Sequence, residues 1–368
     1  MQHGAGRIVA ELDPEYLRLV SKVIADIYGD ATSQMIRLVA ARLAKGLDID
    51  DGWATRKLLE LVDLRAQAEN VIEQLDGQVA KSVAEVMDTA ARTGAKVAAS
   101  ELAVTGSPLS ATATGAVEAL ARETVDRLTG THTQILRSTL DVYRTVVSEV
   151  AAPGVVTGTV TRRQAAQRAV DRWARQGVTG FVDRAGRNWE IESYAEMTTR
   201  TAGGRAMMEG SIDQYQSEGR NFVIVSDSPE ECKQCRPFEG KGLSLDGSGI
   251  GTKVGGILIV DTLRGATSKG LFHVNCRHRV SPIVPGRTKP MAHTADPEGD
   301  RDRQRQRALE RRIRAAKRQV EAAAPFGPTP ELARAKQLVA NAQADMRQFI
   351  ADTDRKRLPA REQIGRAR

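Results

Sequence analysis

His273-Val274-Asn275-Cys276-Arg277-His278 is the stretch on which the reading of this chain turns, taken with Cys232-Lys233-Gln234-Cys235 some 38 residues before it. The chain has three cysteines, and all of them lie in these two stretches, beside two of its five histidines. Zinc takes four nitrogen or sulfur ligands in a tetrahedron, and a C-x2-C knuckle with a distant second pair supplies them in a small, strand-poor segment. Cys232, Cys235, His273 and Cys276 make one such set for a structural Zn2+. His278 is a fifth candidate, as a ligand or as a donor behind the ligands, and spacing leaves that choice open. The competing reading is a group of reduced core cysteines with hydrogen-bonded histidines. An odd cysteine count speaks against a disulfide framework. No thioredoxin-like βαβ pattern surrounds Cys232, so a redox C-x-x-C is disfavoured.

Around these residues the sequence reads as a small mixed module. Phe181 to Trp189 has the pattern of a hairpin with Ala185-Gly186 at its turn, and Ile191 to Glu218 that of a helix. Asn221-Phe222-Val223-Ile224-Val225-Ser226 is the best strand pattern in the chain and leads directly into the knuckle. The segment from Gly240 to Gly270 is heavy in glycine, which suits tight loops, and holds one more apolar run, Ile257 to Val260.

Before the module the pattern is helical. Residues 14 to 45 carry Leu17, Val20, Ile24, Ile27, Met35, Ile36 and Val39 at helical spacing after Asp13-Pro14. A longer stripe from Trp53 to about Leu102 predicts a rod of roughly 70 Å at 1.5 Å per residue, or a helix broken near Gly94. A third helix is expected from about Thr112 to Val150 and a shorter one from Thr161 to Arg175. No E-x-x-H pattern marks a metal site on these helices, so residues 1–175 read as scaffold. The fold expected is α+β and predominantly α. It has a bundle- or coiled-coil-like helical region over 1–178, the Cys/His module over 179–290 and a basic helical tail over 291–368.

The charge is uneven. The formal net charge is +8, yet residues 301–368 carry +10, so the rest is slightly acidic. Nine Arg or Lys against three acids between Arg301 and Glu321 suit a polyanion or an acidic protein surface as neighbour, or else a solvated helix. The tail's aromatic residues are Phe326 and Phe349, too few for a platform that stacks single-stranded bases; duplex phosphates need only Arg and Lys. The last 15 residues read as polar and disordered. No apolar run approaches the ~20 residues of a membrane span. The N-terminal MQHGAGRIVAELDPEY has no basic leader followed by an apolar core, so a cytosol-like compartment is expected.

Deaminase chemistry needs H-x-E with P-C-x-x-C, and Glu231 stands where that proline would be. H-E-x-x-H is absent. A metal-dependent nuclease or other hydrolase remains the alternative, with His273 or His278 as general base and Asp227, Glu230 and Glu231 as the acids to test.

Several of these residues together resemble a known group. They are Trp189, Tyr194, Met197, Arg200-Thr201, Val223 to Ser226, Cys235 with Gly240-Lys241, and the H-x-N-C-R-H stretch followed by Pro282 and Gly286. They are similar to the tailed-phage minor capsid protein family, related to the Mu F-like head morphogenesis proteins, over residues 180 to 288. Val274 stands where a proline is common, and His278 where the wider group often has cysteine. The resemblance implies a virion protein of few copies in the phage head, handled in the host cytoplasm during assembly. It further implies portal, major capsid or scaffold proteins as partners and no catalytic residues, while the basic tail by its charge would suit contact with packaged double-stranded DNA. If the motif's last position belongs to the metal set, His278 is a ligand and one of the other four is released.

Overall fold

A computed structural model describes residues 14–46, 52–151, 161–176, 181–182, 186, 188–228, 233–289 and 296–365. In chain order they form α1 (Pro14–Ala44), α2 (Trp53–Leu59), α3 (Leu61–Leu102), α4 (Ala111–Thr129), α5 (His132–Val150) and α6 (Arg162–Gln176). Then follow β1 (Phe181–Val182), β2 (Asn188–Trp189), α7 (Ile191–Ser217), β3 (Phe222–Val225), β4 (Gly242–Ser244), β5 (Lys253–Val254) and β6 (Ile257–Thr262). The chain ends with α8 (Leu263–Ser268), β7 (Val280–Pro282), α9 (Pro297–Ala323) and α10 (Pro330–Thr353). This is a largely helical protein with long N-terminal helices and a small β region. Among the described residues no helix is long and apolar enough to cross a membrane.

Two breaks fall where the sequence did not place them. The stripe from Trp53 is interrupted at Glu60, which caps α2 and accepts the Lys57 ammonium at 3.0 Å. α3 then runs straight through Gly94. That glycine is a contact and not a break: a Cβ there would stand 1.9 Å from the Met207 carbonyl oxygen on α7, and one at Gly210 would meet the Ala91 carbonyl at the same distance. Two helix backbones approach closely where each offers a glycine, and the Ser211 hydroxyl donates to the Gly94 carbonyl at 3.0 Å. The expected single helix from Thr112 to Val150 is likewise two, α4 and α5, parted at Gly130-Thr131.

The chain divides into two compact units, each assembled from three separate segments: 1–24, 80–126 and 196–303 in the first, 25–79, 127–195 and 304–368 in the second.

The first unit holds a five-stranded sheet of order β5-β6-β4-β3-β7. β3 pairs antiparallel with β4 and β7, while β4 and β6 run parallel. β3 is buried on both faces, which is why it reads as a continuous apolar run. Val223 and Val225 join Ala98, Tyr215, Leu243, Leu271 and Cys235 in one cluster, and Ile224 joins Ile257, Ile259 and Ile283 in another. Tyr215 reaches a carboxylate oxygen of Glu101, whose other oxygen accepts from Ser281 at 2.9 Å.

The second unit is built on a core shared by six helices. Met35, Ile36, Val39 and Leu43 of α1, Trp53 of α2, Leu64 and Ala68 of α3, Tyr143 to Val150 of α5, Ala166 to Ala174 of α6 and Ala322 of α9 all contribute. Such a core is a bundle arrangement with more partners than a two-helix seam.

α9 keeps part of its charge in solvent, with Arg301, Arg305, Arg311 and Arg312 exposed, and turns the rest inward. Arg314 and Arg318 are 5% and 2% exposed. Arg318 pairs with Glu192, and with Glu190 at 3.4 Å, while Arg314 reaches Glu192 at 3.3 Å and the Arg361 carbonyl at 2.7 Å. Arg361 in turn meets Glu310 at 3.2 Å. The C-terminal residues through Gly365 are likewise ordered, against expectation. Arg357 and Glu362 pair at 2.6 Å, Glu362 is 2% exposed, and Gln363 accepts from Lys317 at 2.7 Å. Buried charges need partners, and these distant acids supply them.

Candidate metal centre

The site is built on two loops of the first unit. Cys235 stands at the N-terminus of a short 3-10 turn, Arg236–Phe238, that leads out of β3 toward β4, and its side chain is fully buried. The second loop is a tight turn over His273–Cys276, closed by the Cys276 amide donating to the His273 carbonyl at 2.9 Å. Asn275 occupies its third position with φ of +65°. A positive φ there, and not at Val274, is the signature of a type II turn, and asparagine tolerates it better than most residues. Such turns favour proline at the second position, which is where Val274 departs from the common pattern. The turn is what brings ligands three residues apart to one side.

α7 holds this turn in place. The Arg200 guanidinium donates to the Asn275 side-chain oxygen, and the Asn275 amide donates to the Thr201 hydroxyl at 3.3 Å. Arg200 is itself anchored by Glu196 at 3.2 Å, one turn earlier.

Among the described residues, Cys235, His273 and Cys276 converge: one ligand atom of each lies within 4.8 Å of the others. The two sulfurs are 3.6 Å apart. Two thiolates on one tetrahedral zinc, each about 2.3 Å from it, stand about 3.8 Å apart, so this pair already has the right separation. His273 Nδ1 donates to the Val274 carbonyl at 2.7 Å, so Nε2 is the ring nitrogen suited to a metal. Two thiolates and an imidazole suit zinc and not magnesium or calcium. The residues therefore fit the metal. Cys232 lies outside the described residues, as do Glu230 and Glu231.

His278 is placed differently. Its Nδ1 is 3.4 Å from Cys276 Sγ, and its backbone amide also donates to that sulfur at 3.4 Å. Its Nε2 meets the Glu239 carboxylate at 2.5 Å, with both side chains 2% exposed. Glu239 also accepts from the Ser228 amide at 3.3 Å. The hydrogen bond with Cys235, followed by those from His278, outweighs burial and brings the Cys276 thiol down to about 4. Burial works against a proton on His278, but Cys276 and Glu239 overcome it and raise the imidazole above its ordinary value.

Glu239 went unseen in the sequence, since nothing in Phe238-Glu239-Gly240 separates a buried carboxylate from a solvated one. Arg200 and Thr201 were noticed only as part of a resemblance, without a role.

The sequence profile of the family described as phage minor capsid protein 2 matches residues 12–351. A relative described as a structural protein, from Lactococcus phage LL-H, is 24% identical over 321 residues, covering 82% of this chain and 85% of that one. No solved structure matches the chain. A match that begins near the first helix and ends within the last long one takes in the Cys/His loops and both compact units: the chain belongs to the phage minor capsid protein 2 family.

Proposed function

We propose that this chain is a structural protein of the phage head that acts in head assembly at the portal vertex, with its small β module held together by a structural Zn2+. Membership of a minor capsid family across residues 12–351 carries the virion role. The related structural protein from Lactococcus phage LL-H supports it. A kinship with Mu F-like head morphogenesis proteins belongs to the same proposal and rests on the H-x-N-C-R-H stretch.

For the metal, Cys235, His273 and Cys276 are the donors on geometry, and Cys232 is the fourth on sequence spacing alone. When bound, zinc would supply a four-point cross-link between the loop after β3 and the turn before β7. Cys276 and Glu239 engage both ring nitrogens of His278, which speaks against His278 as the base for a metal-activated water and leaves His273 as the base to test. Contact with packaged DNA through α9 is a narrower proposal than the sequence suggested. Arg314 and Arg318 are committed to acids, and Arg301, Arg305 and Arg311 are the exposed cations that remain to meet phosphates.

Electron microscopy of virions carrying a tag on this chain tests the role directly. Label at one vertex of the head, in few copies, is the expected outcome. Absence of the chain from purified virions would remove the proposal. Cleavage of DNA by the zinc-loaded protein, lost in His273→Ala, would replace the structural reading with the nuclease.

A further inference from the structure

We propose that Glu239 and His278 form a buried pair behind the metal centre that donates to the Cys276 sulfur, so that His278 is a positioning residue and not a ligand. This rests on the reading of Cys235, His273 and Cys276 as a metal site. It resolves a choice that spacing left open, and it brings in a carboxylate that no motif marks.

Three observations carry it. Among the described residues the donors that converge within 4.8 Å of one another are Cys235, His273 and Cys276, and that group does not extend to His278. His278 approaches the site only through Cys276, with ring Nδ1 and backbone amide both at 3.4 Å from one sulfur. The backbone N–H and ring Nδ1 flank the same sulfur, a cradle for a thiolate when Nδ1 carries the proton. Finally, Nε2 is engaged by Glu239 at 2.5 Å, in a pair whose side chains are both 2% exposed. The contact with Glu239 fixes the orientation of the ring and so the edge it presents to Cys276. The arrangement Glu239–His278–Cys276 thus holds the Cys276 sulfur in place.

The chemistry follows. Each thiolate on zinc adds a negative charge, and N–H donors to sulfur reduce its repulsion of its neighbours 3–4 Å away. Cys276 is the sulfur so treated. Residues of this kind orient ligands and tune affinity, and their loss typically weakens metal binding about 10- to 100-fold without abolishing it. Loss of a true ligand is more severe.

The experiment uses the full chain loaded with zinc, and in parallel with Co2+ as a spectroscopic stand-in. X-ray absorption at the zinc edge of the unaltered protein should report one imidazole in the first shell. His278→Gln and the isosteric Glu239→Gln should each retain one equivalent of metal. They should keep the position and intensity of the Co2+ d–d bands, while chelator competition shows affinity lowered about 10- to 100-fold. His273→Ala should lose stoichiometric metal or change those bands. The two Gln substitutions combined should cost less than the product of their separate effects, because they act through one sulfur. Two imidazoles in the absorption spectrum would make His278 a ligand and overturn the inference while leaving the metal site intact. So would His278→Gln with bands altered as in His273→Ala. If the unaltered chain takes up no zinc or cobalt, the metal reading itself fails, and this inference with it.

Discussion

Each compact unit buries charged or titratable groups, and they do so by different means. In the first, a thiol pair, an imidazole and a carboxylate gather within a few ångströms on two loops, Cys235 to Glu239 and His273 to His278. In the second, Arg314 and Arg318 on α9 reach Glu190 and Glu192, whose partners lie more than a hundred residues away in sequence. The first cluster is made of rare residue types at short spacings. The second is made of the commonest charged residues, paired across long separations. What the contrast teaches is that chemistry confined to neighbouring loops leaves a local trace, whereas a charge pair closed by tertiary packing leaves none.

The largest expected effect tests the first cluster. Cys235→Ser, or strong chelation of the purified protein, should unfold the β module, because metal binding in such sites is folding free energy, on the order of 10 kcal/mol. Hydrogen exchange should report fast amides over Phe222–Val225 and Val280–Pro282 with α5 and α6 still protected. Unchanged protection under chelation would mean that the loops hold by packing alone.

Arg318→Ala probes the second cluster. Removing one partner of a buried pair leaves Glu192 with a diminished set of cations and should destabilise the six-helix unit by about 3–5 kcal/mol. Denaturant melts would read this, and a loss under about 1 kcal/mol, the usual worth of an exposed pair, would restore the solvated reading of α9.

Gly94→Ala sharpens the comparison from within the first unit, since it tests packing and no charge. A Cβ at 1.9 Å from a backbone oxygen forces α3 and α7 apart, and about 1–3 kcal/mol is expected. An unperturbed melting temperature would show the helices able to slide.

The smallest effect is a pH dependence in the second unit. The Tyr28 hydroxyl meets His132 Nε2 at 2.7 Å, and His132 Nδ1 meets Asp76 at 2.8 Å. Burial lowers the His132 pKa, with Asp76 opposing, and burial first, then Asp76 and Tyr194, raise that of Tyr28. The folded imidazole therefore has a lower pKa than the unfolded value of about 6.5. Its contribution is fully present above that pH and is lost as pH falls toward the folded pKa. Melting temperature should decline gently on acidification below about pH 6.5, with a smaller slope in His132→Gln. An identical slope in both proteins would assign it to carboxylates.

Much of the secondary structure was legible, because amphipathic spacing and the β3 run are properties of contiguous residues. The breaks were not. Gly94 looks like a helix breaker until Met207 stands against it, and Glu60 resembles any helical glutamate until it caps α2. At the site, Cys235, His273 and Cys276 were found from spacing. Glu239 and the cradle of Asn275 by Arg200 were not, since a side chain's burial is decided by elements far from it in sequence.

The interleaving of segments has a consequence for how the protein is made. Neither unit can close until late in translation: the first waits for residues up to 303, and the second for residues up to 368. At about 5–20 residues per second, these 368 residues take roughly 20–70 s to translate. Between completion of α5 at Val150 and of α9 at Ala323, roughly 9–35 s at that rate, α1, α3 and α5 stand without α9, and their shared cluster lacks Ala322 and Phe326. Nascent chains of this kind are clients for holdase chaperones, and the yield of soluble protein should depend more on their supply than on the stability of the finished fold.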